Sequence, residues 1–151
     1  MSASGLEGID HSVQQTHIWI NDVDEKLTWG NKARAYRLLK AVLHAVRDHL
    51  QPNEAVDLGA QLPTFLRGVY YDQWRPAKTP VKDRHLDSFL ATIDNSFKPD
   101  PIDDTAEAAT AVFEVMTRKV TWGEIDEVRK ALPAAIRALW PEPQKRAVRQ
   151  G

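Results

Sequence analysis

One predicted helix carries the residues whose types and spacing best suit chemistry. Its cations are Arg34, Arg37, Lys40, His44 and Arg47, three or four residues apart, so they share one helical face. Such a stripe can contact an acidic protein surface, or it can be an ordinary solvated face. Seventy positions later the chain carries acidic residues on a matching helix, at Asp104, Glu107 and Glu114. The two stripes are therefore candidates for a contact between opposite charges.

The two halves of the chain differ in charge. Residues 16–70 carry seven Lys or Arg and six Asp or Glu, a formal charge of +1, whereas residues 86–140 carry six and ten, a formal charge of −4. Opposite charges could meet within one chain or across a symmetric homodimer. Exposed ion pairs contribute only about 0–1 kcal/mol each, so two solvated faces are the simpler interpretation.

Catalytic and metal chemistry has little support. The chain has no cysteine and no His-Glu-x-x-His, which excludes thiolate sites and the zinc metalloprotease signature. His44 and Asp48 are spaced to share a metal, but two ligands make a weak site. Gly-x-Ser-x-Gly and glycine-rich phosphate loops are missing as well. We therefore expect no catalytic residue, metal or cofactor. A small-ligand binder or enzyme with a cleft between the two halves is an alternative.

Nucleic-acid binding is a further alternative. Two short predicted helices, residues 54–61 and 63–71, are joined by a tight turn and loosely resemble a helix-turn-helix. The second helix has one cation, Arg67, and no Asn, Gln or Lys to read base edges. The formal net charge of −1 supplies no footprint for phosphates. The sequence therefore disfavours nucleic acid as a partner.

Two arginines hold the same place in the last predicted helix of each half, four residues after a proline that suits a helix start. The arginines are Arg67 and Arg137, and the prolines are Pro63 and Pro133. Asp57 and Glu127 precede the arginines by ten residues. An arginine that binds a carboxylate can hold two helices together, so each pair is expected to close a short helical hairpin; the alternative is that both arginines are exposed.

Most aromatic residues fall on predicted apolar faces. Those expected in the core are Trp19, Tyr36, Phe65, Tyr70 and Phe89. Trp74 differs, because it lies beside Arg75 in a charged connector that contains two prolines. An exposed Trp–Arg pair is typical of a binding hot spot. The alternative is that Trp74 pins the connector onto the core.

Hydrophobic periodicity and prolines predict an all-α fold. One apolar stripe marks a long helix over residues 32–50, and Pro52 prevents its continuation. The other predicted helices cover residues 13–26, 54–61, 63–71, 86–97, 103–120, 122–131 and 133–140. Asn53 and Thr121 are expected to cap the helices that follow them. Alternating Val/Ile runs between Asn-Gly turns, which would indicate hairpins, are missing.

The strongest pattern is an internal repeat. Residues 16–70 lie over residues 86–140 at an offset of seventy without a gap. The identical positions include Asp24/Asp94, Ala41/Ala111, Val42/Val112, Glu54/Glu124, Leu62/Leu132, Pro63/Pro133 and Arg67/Arg137. Two units of about 55 residues, joined by a connector over residues 71–85, predict a single compact bundle of about eight helices with pseudo-twofold symmetry.

Length and composition predict the number of domains and the location of the protein. A chain of 151 residues that is 42% apolar and 27% charged is expected to fold as one domain over residues 1–151. We expect flexible tails at residues 1–12 and 141–151. The chain shows neither a basic, apolar leader nor a run of about 18 apolar residues. We therefore expect a cytoplasmic protein with no membrane segment.

Several segments together resemble a known family. They cover residues 34–48, 58–63, 66–71, 74–76, 79–82, 123–129, 132–133 and 137–140. In these segments the chain is similar to the bacterial and archaeal family catalogued as domain of unknown function 2267. The resemblance implies a compact helical bundle and supplies no catalytic residues. With the charge pattern, it leads us to expect a protein–protein interaction module, whose partner is an unidentified protein or a second copy in a homodimer.

Overall fold

A computed structural model describes residues 5–142, and the regular structure within that range is helical, without strands. Its α-helices are α1 Glu7–Leu27, α2 Lys32–Asp48, α3 Pro52–Gly59, α4 Thr64–Tyr71, α5 Leu86–Asp94, α6 Thr105–Lys119, α7 Trp122–Ala131 and α8 Ala134–Arg137. Short 3-10 helices cover Pro76–Lys78 and Asn95–Phe97. The predicted all-α fold of about eight helices is confirmed. None of the described helices is both long and apolar enough to cross a membrane.

The first helix begins earlier than its sequence pattern predicts. It starts at Glu7 rather than near residue 13, and Glu7 and Asp10 place negative charge in its first turn, where the helix dipole favours it. Residues 7–12, which were expected in a flexible tail, therefore form the first turns of this helix. The outer parts of the predicted tails, residues 1–4 and 143–151, lie outside the described range.

Local capping also differs from prediction around the short helices. Pro52 is the first residue of α3, and the Glu54 carboxylate accepts the backbone N–H of Gln51 at 2.9 Å. Gln51, and not Asn53, is therefore the N-cap residue. The side chain of Thr121 makes no capping hydrogen bond to α7, although α7 spans the predicted residues 122–131. The prolines that precede α4 and α8 are Pro63 and Pro133.

One cluster of buried side chains contains residues from both halves of the chain. At its centre α2 packs against α1, α4, α5 and α6. The rings of Phe113 and Trp140 stack with centroids 4.3 Å apart, and Phe89 lies 6.4 Å from Phe113. All three side chains are fully buried. Such aromatic pairs add about 0.5–1.5 kcal/mol beyond the burial of their area, and because all three residues belong to residues 86–140 they stabilise the core within the second half.

A buried carboxylate fixes the start of α2. Asp24 is 4% exposed and accepts hydrogen bonds from the Asn31 N–H and from Lys32 Nζ, each at 3.1 Å. The hydrogen bond from Asn31 is the main reason that the pKa of Asp24 lies below its usual value. At the matching position, Asp94 accepts the hydroxyl of Thr105, the first residue of α6. Each carboxylate therefore anchors the long helix that follows it.

Candidate functional site

Two members of the predicted stripe on α2 lie against the end of α4. Arg47 is 3% exposed, and its Nη1 donates to the carbonyls of Tyr70 at 2.6 Å and Asp72 at 2.9 Å. His44 Nε2 donates to the carbonyl of Val69 at 2.7 Å, and burial lowers the pKa of His44. These donors satisfy carbonyls that a helix C-terminus leaves unpaired. The prediction that Arg47 belongs to an exposed binding stripe is therefore wrong.

The second half satisfies the corresponding carbonyls with different residues. After α8, the carbonyl of Trp140 accepts from Arg129 Nε at 3.0 Å. The carbonyl of Leu139 accepts the hydroxyl of Thr110 at 2.9 Å. The residue that matches the buried arginine of α2 is Thr117, whose hydroxyl accepts the indole N–H of Trp140 at 2.8 Å. Part of the charge difference between the halves is thus explained by packing.

Arg34 also makes its contacts within the chain. Its guanidinium lies over the rings of Trp29 and Phe97, 4.8 and 5.0 Å from their centroids. Nη1 pairs with the carboxylate of Asp100 at 3.0 Å, and Nη2 donates to the carbonyl of Pro101 at 3.1 Å. The side chain is 15% exposed. Arg34 therefore connects α2 to the segment that precedes α6.

The other members of the two stripes do not converge on one site. Arg37 is exposed and Lys40 is half-buried. Asp104 caps α6 by accepting the N–H of Glu107 at 3.0 Å. Glu114 accepts a lysine of α1 at 2.9 Å, and both side chains of that pair are partly exposed. Their exposed charges contribute little to stability.

Trp74 packs the connector against α4. Its ring is half-buried and stacks on Tyr71 with centroids 5.3 Å apart. Arg75, beside it, is exposed. Further along the connector, the Val81 N–H donates to the carbonyl of Asp48 at 2.8 Å. These contacts favour the interpretation in which Trp74 pins the connector to the core.

The arginines of α4 and α8 close their hairpins through backbone carbonyls. Arg67 Nε donates to Gly59 at 2.9 Å, and Nη2 donates to Leu62 at 3.0 Å. Arg137 makes the same two contacts with the carbonyls seventy positions later, at 2.7 and 2.9 Å. The expected hairpin locks form, but carbonyl oxygens take the place of the expected carboxylates.

The carboxylates assigned to those arginines lie near one another instead. α3 packs against α7, and Glu124 on α7 has a pKa raised to about 6. Burial is the largest cause, followed by the negative charges of Asp57, Glu127 and Glu54. Both predicted arginine–carboxylate pairs are therefore wrong. Within residues 5–142, no group of three or more His, Asp or Glu could hold a metal ion.

An apolar groove lies between α1, α2 and α4. It encloses a cavity of about 340 Å³ whose lining includes Val13, Ile20, Tyr36 and Phe65, with His17 beside them. Phe65 is 50% exposed and Val13 is 38% exposed. The prediction that Phe65 belongs to the core is therefore wrong. A concave apolar surface with an exposed ring is typical of a binding site.

The apolar face of α1 extends beyond the groove toward its N-terminus. Ile9 and Leu6 precede Val13 at helical spacing and are 62% and 50% exposed. The sequence interpretation missed this face because it placed these residues in a tail. A signal for Phe65 was present, since the matching residue of the second half is Ala135, so the repeat does not require a large apolar side chain at this position.

A comparison with curated proteins finds no match. A family model described as Uncharacterized conserved protein (DUF2267) matches residues 16–139. The match contains α2 to α8 and the larger part of α1, so it covers well over half of the 151 residues. The chain therefore belongs to the family Uncharacterized conserved protein (DUF2267).

Proposed function

We propose that this protein is a non-enzymatic helical module that associates with a second copy of itself through the groove between α1, α2 and α4. The observation that carries the proposal is Phe65, a large ring that is 50% exposed at the edge of an apolar cavity. Full burial of an exposed Phe side chain is worth about 1.5–3 kcal/mol, so covering the exposed half of this ring is worth about 1.5 kcal/mol at most. Val13, Ile9 and Leu6 add exposed apolar area beside it.

The face of α1 is complementary to itself around Val13. In an antiparallel contact about a twofold axis at Val13, Leu6 of one copy lies over Ile20 of the other. The same geometry places Asp10 opposite His17, because the two residues flank the apolar face on the same side. Twofold symmetry forms each of these contacts twice. Because a carboxylate can accept a hydrogen bond from an imidazole, this pairing favours a second copy over an unrelated apolar helix.

The charge stripes are less suitable as the main contact. Arg34, Arg47 and Glu114 already bind acceptors or donors within the chain. Arg37 and Glu107 stay exposed and can modulate association through long-range attraction or repulsion. Nucleic acid gains no support, because the single cation of α4 donates to backbone carbonyls.

We also infer that the bundle is a duplicated four-helix unit with pseudo-twofold symmetry. The matched carbonyl contacts of Arg67 and Arg137 support this duplication. The anchoring of both long helices by Asp24 and Asp94 supports it too. A cytoplasmic location remains part of the proposal and is compatible with a chain that has no cysteine.

Sedimentation equilibrium over a range of protein concentrations tests the association. Each dimer would bury two Phe65 rings, so losing up to about 1.5 kcal/mol per ring predicts a dimer up to about a hundredfold weaker for Phe65→Gln. Trp122→Gln is the control, because Trp122 is an exposed aromatic residue on α7, 42% exposed. A wild-type chain that stays monomeric, or two variants that weaken the dimer equally, would contradict the proposal.

A further inference from the structure

A second cavity, of about 450 Å³, lies between the N-terminal half of α1, the turn from α3 to α4, and the end of α6. Its lining includes His11, Gln15, Gln61, Arg67 and Lys119, and no Asp or Glu is among the lining residues. It uses a different face of α1 from the groove of the proposed dimer. Because Lys119 comes from the second half, the cavity lies in a cleft between the two halves.

The cations that line this cavity are held in place. Arg67 is fixed by the carbonyls of Gly59 and Leu62, which leaves its Nη1 without a hydrogen bond among the described residues. Lys119 Nζ pairs with Asp22 at 2.8 Å, and Asp22 is not part of the lining. Rigid, preorganised donors of this kind lose little conformational entropy when they bind an anion.

Neutral donors complete the lining. The Ser12 hydroxyl oxygen accepts the N–H of Phe65 at 2.6 Å, and within residues 5–142 its own hydrogen has no acceptor. The side-chain carbonyl of Gln61 accepts the N–H of Thr121 at 3.4 Å, and its amide N–H groups have no acceptor in the part of the chain that the structure describes. An imidazole donates from at least one nitrogen in either tautomer, so His11 adds another donor.

We propose that this cavity binds a small, soluble phosphorylated molecule through its phosphate group. A phosphate offers several charged acceptor oxygens, and charge-assisted hydrogen bonds from Arg and Lys are the strong ones. The volume falls in the range of small-molecule pockets. The second half keeps the arginine, as Arg137, but the residues that match Gln61 and Thr64 are Ala131 and Ala134. The donors of the turn from α3 to α4 are therefore not repeated in the turn from α7 to α8.

NMR titration of the full chain with inorganic phosphate, at pH 7 and constant ionic strength, tests the proposal. The expected result is saturable shifts of the amides in residues 11–15 and 61–67. Glycerol 3-phosphate should shift the same amides, and acetate should bind at least fivefold more weakly. Shifts that grow linearly without saturation, or equal affinity for acetate, would overturn the assignment. So would binding to vesicles that contain phosphatidic acid without binding of glycerol 3-phosphate.

Variants locate the site. His11→Ala and Lys119→Met should each weaken phosphate binding by fivefold or more, because each removes a hydrogen-bond donor from the anion. Arg67→Gln should abolish binding, and Arg137→Gln is its matched control, since it removes the same hairpin lock away from the cavity. If Arg67→Gln does not fold, the His11 and Lys119 variants still test whether phosphate binds in this cavity. Unchanged affinity in both of them would refute the site.

Discussion

Replacing Arg47 with Met removes the donor that closes the C-terminal end of α4. In the folded chain the guanidinium binds the carbonyls of Tyr70 and Asp72, at 2.6 and 2.9 Å. It also binds the carboxylate of Asp48 at 2.9 and 3.3 Å. Met fills a similar volume without donating, so the variant isolates the loss of these hydrogen bonds from the loss of packing.

The expected loss is about 3 kcal/mol in the free energy of unfolding. A buried acceptor left without a partner costs about 1–3 kcal/mol, and the Tyr70 carbonyl contact is buried. Asp48 is 33% exposed, so water can replace its lost donor and lower the cost. Removing one partner of a buried ion pair costs about 3–5 kcal/mol. The lower end of that range fits a site with one solvated acceptor.

Chemical denaturation followed by far-UV circular dichroism measures this loss. Lys40→Met is the matched control on the same helix, because the Lys40 side chain makes no hydrogen bond or ion pair within residues 5–142. We expect the control to change the free energy of unfolding by less than about 0.5 kcal/mol. If Arg47→Met costs no more than Lys40→Met, the structural role assigned to the cations of α2 is refuted.

Two further substitutions test local packing and electrostatics. Gly59→Ala should destabilise the fold by about 1–3 kcal/mol, because a Cβ would collide with the Tyr71 hydroxyl and lie 3.1 Å from the Tyr70 ring. Gly68→Ala should stabilise the fold by about 0.5–1 kcal/mol, because the added Cβ would meet nothing within 4 Å. Thermal unfolding measures whether each substitution raises or lowers the stability. Glu124→Gln should stabilise the fold above pH 6 by about 1 kcal/mol or less, because solvent screens a partly exposed group. Folding raises the pKa of Glu124 from 4.5 to about 6, so the folded state binds the proton more tightly and the gain should disappear by pH 4.5. Chemical denaturation at about pH 7 and about pH 4 measures this gain in stability, and a gain that persists at about pH 4 would contradict the raised pKa of Glu124.

The helices could be predicted because their signals are local. The apolar stripe of α2 recurs with the helical period, and prolines mark where neighbouring helices stop. α7 spans the predicted residues 122–131. The ends of α1 and α3 were less predictable, because first-turn charges and capping contacts decide among several possible starts.

The partners of the arginines could not be predicted. Every residue has a backbone carbonyl, so the acceptors of Arg67 leave no mark in the sequence, whereas Asp57 is visible as a possible partner. The same holds for Arg47. Its place on α2 lies opposite the apolar stripe, and only the packing of α4 against α2 buries it.

Differences between the halves proved harder to interpret than their similarities. In the sequence, the difference between Arg47 and the matching Thr117 suggests that this helix face has a binding role in the first half. Arg129, at the place of Gly59, supplies a donor to the corresponding carbonyl instead. Because two changes compensate each other across helices, neither can be interpreted alone. Phe65, where the second half has Ala135, is half exposed and lines the groove.

Cysteine crosslinking tests the proposed self-association most directly. The chain has no cysteine, and an intermolecular disulfide requires Cα atoms within about 7 Å. Val13→Cys would place one thiol from each copy at the twofold axis. Ile18→Cys is the control, because Val13 and Ile18 are both 38% exposed but lie on different faces of α1. The proposal predicts a covalent dimer from Val13→Cys under mild oxidation and little from Ile18→Cys. No dimer from Val13→Cys, or equal yields from both variants, would contradict it.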